Sequence, residues 1–345
     1  MKNNIVKESP MKDPVVREKA YKDNKIIAFY KKRFIFFAFS ICIMIIGIIA
    51  SFVNGITLDI QFKGGALLKY NYVGAIDENK AADIASKQLD RPVTTQLVTD
   101  ITTGNKLLVF NIAGEYGLEA SLQTKFDNAL RAEFPDSKLD LYQSQMVEKF
   151  FGDSFLRKGV ISIVLASVLV LIYVWIRFNL MGGLSAGVMA VIALIHDVLV
   201  VFFTCVIFKL PIGDSFVAVA LSIIGYSIND TIVIYDRIRE NAKTYIGFPV
   251  DMVSDLSITQ SMMRSIMTNL CVMISVSLVY ILAFAHSIES IQAFALPMAI
   301  GSISGCYSTI CIAGPLWVMW KKRKGEALLF KDKDEKARVQ SSYKY

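Results

Sequence analysis

The sequence predicts a polytopic α-helical membrane protein with six transmembrane helices and one α+β domain outside the membrane. Of the 345 residues, 54% are hydrophobic and only 19% are charged, with a mean hydropathy of +0.47. This composition is too apolar for an ordinary water-soluble domain of such length. The apolar residues are concentrated in long runs, whereas residues 54–158 carry twelve Lys/Arg and fourteen Asp/Glu and have the polarity of a folded soluble domain.

Each of six apolar runs is long enough to cross a bilayer. A hydrocarbon core of about 30 Å needs roughly 20 apolar residues at a rise of about 1.5 Å per residue. The runs cover residues 34–53, 159–176, 183–208, 215–235, 262–284 and 294–320. The first run lacks a small-residue cleavage signature, so we expect an uncleaved anchor rather than a signal peptide. The predicted organisation is an N-terminal tail (1–33), helix 1 (34–53), a polar domain (54–158), a five-helix domain (159–320) and a C-terminal tail (321–345).

The distribution of positive charge predicts the orientation. The N-terminal tail contains ten Lys/Arg and the C-terminal tail nine. If both tails are cytoplasmic, the cytoplasmic segments hold 24 Lys/Arg, and the short outer loops hold only Lys209. We therefore expect a multi-pass protein of the bacterial plasma membrane with domain 54–158 outside the cytoplasm. The tails lack interleaved aromatic residues, so attraction to anionic membrane lipids explains them better than nucleic-acid binding.

Periodicity within the polar domain predicts the element order βαββαβ, the ferredoxin-like arrangement of one antiparallel sheet and two helices. The predicted strands cover 65–72, 93–100, 106–112 and 139–147, the helices cover 77–89 and 118–134, and residues 102–105 form a hairpin turn. All five cysteines lie in the apolar runs, so the domain has no disulfide and no CxxC metal site. It also lacks a phosphate-binding loop, GxSxG and HExxH motifs and any histidine. We expect a binding or mechanical module with no cofactor, no metal and no enzymatic activity.

Three charged residues lie inside the predicted spans. Asp197, Asp230 and Arg264 would each cost on the order of 2.5 to 3.5 kcal/mol at the bilayer centre, so each needs an explanation. Helical spacing places Asp230 on a polar stripe with Ser222, Tyr226 and Asn229. A second stripe on the fifth span contains Arg264, Thr268, Cys271 and Ser275.

The two stripes allow two interpretations. Asp230 and Arg264 form either a static ion pair that fixes helix register or a relay in which Asp230 binds and releases a proton. Function is the default for an intramembrane ionisable residue, which favours the relay. A metal site at His196 and Asp197 is disfavoured because adjacent helical residues point about 100° apart.

Two further features concern helix packing. Gly183-x-x-x-Gly187 and Gly301-x-x-x-Gly305 are small-residue faces that serve either internal packing or a partner. Pro297 and Pro315 predict local breaks in the sixth span.

Four segments of the chain resemble a known family. The run IIGYSINDTIVIYDRIREN (223–241) resembles the fourth-span signature of SecF, the smaller membrane subunit of the bacterial SecD/SecF accessory complex of protein export. ALIHDV (193–198) is similar to its third-span motif, and RSIMT (264–268) to its fifth-span motif. Asp59, Phe62, Gly64 and Gly65 resemble the motif that follows the first span. The resemblance covers almost everything from the first span to the sixth.

The resemblance implies a subunit that uses the proton-motive force to promote export of unfolded preproteins, with a SecD-like subunit and a SecYEG-type channel as partners. It also implies that Asp230 carries the proton-linked carboxylate, with Arg264 as its partner. Asn229, Tyr226 and Thr268 would line the relay. Asn269, Cys271 and Val272 depart from the family, which usually has further Ser/Thr residues there.

Two other classes of membrane protein share features with this sequence. A proton-coupled exporter of small molecules or lipids of the resistance-nodulation-division type has similar architecture, but such transporters generally have twelve spans and two outer domains. An intramembrane aspartyl protease needs two neighbouring carboxylates. Asp236 and Asp214 lie at opposite ends of one predicted helix, some 30 Å apart at about 1.5 Å per residue, so geometry excludes the protease.

Overall fold

Within residues 26–59, 64–99, 105–113, 118–147, 149–245, 248–286 and 288–326, the computed structural model contains six helical segments long and apolar enough to cross a membrane. These segments correspond to the six predicted runs. The described part of the chain also contains one small four-stranded sheet. Phe62, the turn residues 102–104, most of the N-terminal tail and residues 327–345 lie outside the described ranges.

Except for α5, which is one residue shorter, the helical segments of the membrane domain are longer than the apolar runs that predict them. Their bounds are Arg33–Asn54 (α1), Lys149–Arg177 (α4), Gly183–Ile207 (α5), Asp214–Thr244 (α6), Val250–Ala285 (α7) and Glu289–Ser308 (α8), followed by a π-helical segment at Thr309–Ala313 and by Gly314–Arg323 (α9). α6 continues nine residues past the predicted end of its run, and α7 begins twelve residues before its run. Asn241 Nδ2 donates to Ser257 Oγ at 2.8 Å across these two extensions, which joins their polar ends outside the apolar region.

The sheet belongs to the polar domain. Its strands are Gly65–Tyr72 (β1), Val93–Thr99 (β2), Lys106–Ala113 (β3) and Asp140–Val147 (β4), and its helices are Glu78–Leu89 (α2) and Ala120–Glu133 (α3). The strand order is β2-β3-β1-β4, and all neighbouring pairs are antiparallel. α2 begins where Asp77 accepts hydrogen bonds from the backbone of Asn79 and Lys80, a favourable N-cap.

Alternation along the strands defines the domain core. Every second residue of β1 and β3 faces the helices and is buried: Ala66, Leu68, Tyr70, Leu108, Phe110 and Ile112. Phe126 of α3 packs edge-on against the rings of Tyr70 and Phe110. The hydroxyl of Tyr70 donates to Asp127, and burial, followed by this hydrogen bond, raises the pKa of Tyr70.

Glycines allow the membrane helices to approach closely. A Cβ on Gly187 would lie 2.9 Å from Leu171 of α4, and one on Gly301 would lie 2.7 Å from Val201 of α5. Gly183 contacts the backbone of Trp175 on α4, and a Cβ on Gly305 would lie 3.3 Å from Ser227 of α6. Both small-residue faces therefore serve packing within the chain.

The sixth span changes its helical form once. α8 continues through Pro297, so the break predicted there is wrong. The helix widens to the π form at Thr309–Ala313, two residues before Pro315. Proline lacks an N–H and crowds the carbonyl four residues earlier, and an added residue per turn accommodates this crowding.

Candidate intramembrane site

Asp230 lies on the buried side of α6 and is only 6% exposed. Its Oδ2 accepts a hydrogen bond from Nδ2 of Asn269 on α7 at 2.6 Å. The same amide group donates to the Ser265 carbonyl at 3.0 Å, which fixes its orientation. Asn269, which the sequence marked only as a departure from the family, is thus the direct link between the two helices.

Arg264 lies on the exposed side of α7. It is close enough to Asp230 to attract the carboxylate electrostatically. Among the residues that the structure describes, however, Asn269 makes the hydrogen bond to the carboxylate and Arg264 makes no ion pair with it. Thr268 is also exposed, and its hydroxyl donates to the Arg264 carbonyl at 2.9 Å. In this exposed position, the side chain of Arg264 can approach the Asp230 carboxylate or turn towards a neighbouring protein.

The remaining residues of the stripe on α6 form a polar surface beside Asp230. Tyr226 is 45% exposed, Asn229 is exposed, and Ser222 is half-buried. Together with Arg264 and Thr268 they place polar groups on the outside of two membrane helices. We name these five residues the polar face: Ser222, Tyr226, Asn229, Arg264 and Thr268. Polar groups at membrane depth rarely face lipid, so the polar face indicates a covered surface or a water-filled path.

Asp197 of α5 is the best-satisfied ionisable group of the membrane domain. It is fully buried and accepts hydrogen bonds from three serine hydroxyls. Ser227 of α6 and Ser308 of α8 donate to Oδ2 at 2.8 and 2.6 Å, and Ser304 of α8 donates to Oδ1 at 2.7 Å. One carboxylate therefore joins three helices. Each hydrogen bond to a charged group is worth about 1.5 to 3 kcal/mol, which offsets the cost of burying it.

The serines around Asp197 were not among the predicted site residues. Ser304 and Ser308 are four residues apart and face one side of α8, which is a detectable signal. Ser227 lies one turn before Asp230 on the same helix. Their convergence depends on the rotation of each helix about its axis, which a single sequence does not define.

A second hydroxyl cluster lies next to these serines. Thr231 and Thr309 face each other at 3.2 Å, and both hydroxyls lie within hydrogen-bond distance of the Ser227 carbonyl. Thr309 begins the π-helical segment. The hydroxyl of Thr309 therefore contacts Ser227 and Thr231 of α6.

The motif after the first span lies near the loop that joins α5 and α6. The backbone N–H of Asp59 donates to the Ile212 carbonyl at 3.0 Å, and Leu58 and Ile212 form a parallel bridge. Gly64 and Gly65 have φ of 77° and 141°, which explains glycine at these positions. A cavity of about 630 Å³ lies between this loop and the sheet face that the helices leave uncovered.

No group of three His, Cys, Asp or Glu residues is positioned to hold a metal ion within the described ranges. The described cysteines are free thiols in the membrane helices.

These features define a class, the multi-pass membrane proteins with one α+β domain and ionisable groups buried in the helix bundle. Residues 127–323 match a family model described as protein export membrane protein SecD/SecF, C-terminal. The chain therefore belongs to the SecD/SecF family of protein-export membrane proteins, and the predicted resemblance is confirmed.

The relatives agree with this assignment. The chain is 34% identical over 292 residues to the protein translocase subunit SecF of Alicyclobacillus acidocaldarius, which spans 84% of this chain and 91% of that protein. It is 30% identical over 295 residues to the translocase subunit SecDF of Brucella abortus, which spans 85% of this chain and 37% of that protein. The crystal structure of SecDF from Thermus thermophilus matches with a TM-score of 0.71 and 25% identity over 86% of this chain and 39% of that chain. The relatives are translocase subunits, membrane proteins of export rather than enzymes.

Proposed function

We propose that the chain is a SecF-type subunit that uses the proton-motive force to promote export of unfolded preproteins through a SecYEG-type channel. The observation that carries this proposal is the position of Asp230. Its carboxylate is buried beside the polar face, and Asn269 and the electrostatic attraction of Arg264 both act on it. A carboxylate in this position can change its charge, and with it the attraction between α6 and α7.

Proton movement supplies enough free energy to bias such a pair of helices. One charge that moves through about 100 mV gains about 2.3 kcal/mol, which shifts a two-state equilibrium roughly fifty-fold. Arg264 is exposed in the isolated chain. Its side chain can therefore move towards or away from Asp230, as the charge of Asp230 changes, without large repacking. This freedom favours the relay over a static ion pair.

A SecD-like subunit is the proposed partner. In the translocase subunit SecDF of Brucella abortus, the region similar to this chain is 37% of a longer protein, which supports a SecD-like part as the companion of this chain. The polar face of the present chain needs a cover at membrane depth, and a second membrane subunit provides one.

The proposed orientation places both tails in the cytoplasm and the α+β domain outside. The excess of Lys/Arg in the tails supports it. The basic tails would then face anionic lipids of the inner leaflet.

We propose that the outer domain is ferredoxin-like and binds extended preprotein segments. The order of its elements along the chain and its strand order β2-β3-β1-β4 support the ferredoxin-like fold. β2 and β4 end the sheet in the described part of the domain, and the cavity beside β2 is lined by amide and hydroxyl side chains such as Gln96, Asn111 and Thr94. Main-chain hydrogen bonds at such an edge bind peptides without demanding one sequence.

The substitution Asp230→Asn tests the relay. Asn is nearly isosteric and can still accept the hydrogen bond from Asn269, so the protein should fold and assemble while proton-dependent stimulation of export is lost. Export is measured in inverted vesicles, with protein level and partner binding quantified in the same samples. Asp83→Asn, at an exposed position of α2 outside the cavity, is the control and should export normally. Normal proton-dependent export by Asp230→Asn would refute the relay, and loss of assembly would favour the static pair.

A further inference from the structure

His196 and Asp197 form a hydrogen-bonded pair in the middle of α5. Nδ1 of His196 lies 3.2 Å from Oδ1 of Asp197, and the two side chains are 11% and 0% exposed. Three serine hydroxyls already donate to the carboxylate, so it acts as an acceptor on both oxygens. A carboxylate acceptor requires the proton of the neutral imidazole to sit on Nδ1. Nε2 is then left with its lone pair.

Nε2 of His196 is buried and has no hydrogen-bond partner within the described ranges. The ring faces Tyr307, with 6.2 Å between the ring centroids. The hydroxyl of Tyr307 is occupied by the Phe36 carbonyl at 2.7 Å and by Ser40 at 3.1 Å. A basic nitrogen inside the membrane bundle therefore lies beside a fixed anion.

Among the residues that the structure describes, no Lys or Arg side chain pairs with Asp197. The elements packed against α5 are α1, α4, α6, α8, the π-helical segment, α9 and the short 3-10 turn Asn179–Met181, which has no titratable side chain. Within the membrane, their titratable side chains are neutral or acidic: Cys42, Tyr173, Tyr226, Asp230, Tyr235, Cys306, Tyr307 and Cys311. Their cations lie at helix ends, as Lys321 does beside Gly182. Gly182 is fourteen residues from His196, about 21 Å at 1.5 Å per residue.

We propose that His196 and Asp197 form a second proton-binding site inside the membrane, in which Asp197 is the fixed anion and Nε2 of His196 takes up the proton. Uptake forms one N–H bond and turns the imidazole into an imidazolium, so the pair passes from a net charge of −1 to zero. A buried ion pair is far less costly than a buried single charge. Release returns the proton to water and restores the Nδ1–H tautomer.

The site is coupled to the helix that carries Asp230. Ser227 binds Asp197 and lies one turn before Asp230 on α6. A change in the charge of the His196–Asp197 pair alters the strength of the hydrogen bond from Ser227. It therefore alters how strongly α5 binds this part of α6. The role in export rests on the proposed proton-driven function, whereas proton binding itself does not.

The test uses the purified full-length chain in nanodiscs with ¹⁵N-labelled histidine. The chain has two histidines, and His286→Gln, at the exposed end of α7, leaves His196 as the only signal. We expect the Nδ1–H tautomer in an alkaline sample and the imidazolium in an acidic sample. In Asp197→Asn the protonated fraction in the acidic sample should fall by about tenfold, because the stabilising anion is gone.

Two results would overturn the proposal. One is a His196 signal that stays neutral from about pH 8 to about pH 5. The other is an Asp197→Asn variant that protonates to the same extent as the unmodified chain. If Asp197→Asn does not accumulate, the comparison is made instead by infrared difference spectroscopy. The spectra compare the unmodified chain with the variant His196→Gln. The carboxylate band of Asp197 must then shift as His196 is protonated, and an unchanged band contradicts the proposal. Because neither measurement involves export, failure of the Asp230 relay and failure of this site remain distinguishable.

Discussion

At the scale of single residues, the buried carboxylates of Asp197 and Asp230 differ in their surroundings. Asp197 is fully buried and accepts hydrogen bonds from α6 and α8, whereas Asp230 is near the polar face and depends on Asn269. Three serine hydroxyls from two neighbouring helices bind Asp197, whereas Asp230 is bound by one amide, that of Asn269 on α7. This arrangement suits Asp197 to join helices and Asp230 to respond to a movement of α7 relative to α6.

Asn269→Ala tests the importance of the amide at the residue scale. Its removal leaves a buried carboxylate without its hydrogen-bond donor, which costs about 1.5 to 3 kcal/mol. The expected result is a lower midpoint of thermal unfolding in detergent together with reduced proton-dependent export. Ser275→Ala is the control, because that exposed hydroxyl bonds only to its own helix at Cys271. Equal unfolding midpoints for the two variants would contradict a direct role for Asn269.

The same residues show how far the site could be predicted. The cost of intramembrane charge identified Asp197, Asp230 and Arg264 from the sequence alone. The donors Asn269 and Ser304 were missed, because serine and asparagine occur in many membrane helices and only helix rotation decides which of them face a carboxylate. Hydrogen bonding between helices is therefore the part of the site that single-sequence reasoning does not reach.

At the scale of elements, period and length were the strong signals. Periodicity predicted the order of strands and helices in the polar domain, and the observed strand bounds differ from the predicted ones by at most one residue. Helix ends were harder to predict, since α6 and α7 extend through polar residues that pair with each other. Pro297 was misjudged because a membrane helix tolerates proline where neighbouring groups satisfy the freed carbonyl.

Helix packing gives the prediction at this scale. Gly301→Ala would place a Cβ 2.7 Å from the side chain of Val201 and 2.9 Å from that of Ile223, so these side chains or α8 must shift. Overpacking of this kind costs about 1 to 3 kcal/mol. Thermal unfolding of the purified chain should show the loss. Gly225→Ala is the matched control, because a Cβ there meets nothing within 4 Å.

A smaller loss in Gly301→Ala than in Gly225→Ala would show that α8 does not pack as the structure describes. Loss of export without loss of stability would instead indicate that Gly301 lies at a moving contact. Both outcomes can be separated from general misfolding by the yield of the monodisperse protein.

At the scale of the whole molecule, some membrane helices are buried within the chain and others are left largely uncovered by it. α5 and the last span are mostly buried, whereas α1, α4 and α7 expose most of their apolar side chains. Lipid can cover these apolar surfaces at no cost. It covers Tyr226, Asn229 and Arg264 badly, because their polar groups lose hydrogen bonds to water without gaining others. The polar face is therefore the surface on which a partner subunit gains the most.

A photo-reactive amino acid at Tyr226 tests this arrangement in intact cells. We expect crosslinks to a SecD-like membrane subunit from position 226, and lipid adducts only from Val164, an exposed apolar position on α4. Because the polar face is complete only with its cover, the purified chain reconstituted alone should show no proton-dependent transport. Crosslinks of equal yield from both positions would mean that contact is non-specific. Proton-dependent transport by the chain alone would mean that the polar face serves a water-filled path within this subunit, and the proposed division of the machine into two membrane halves would be wrong.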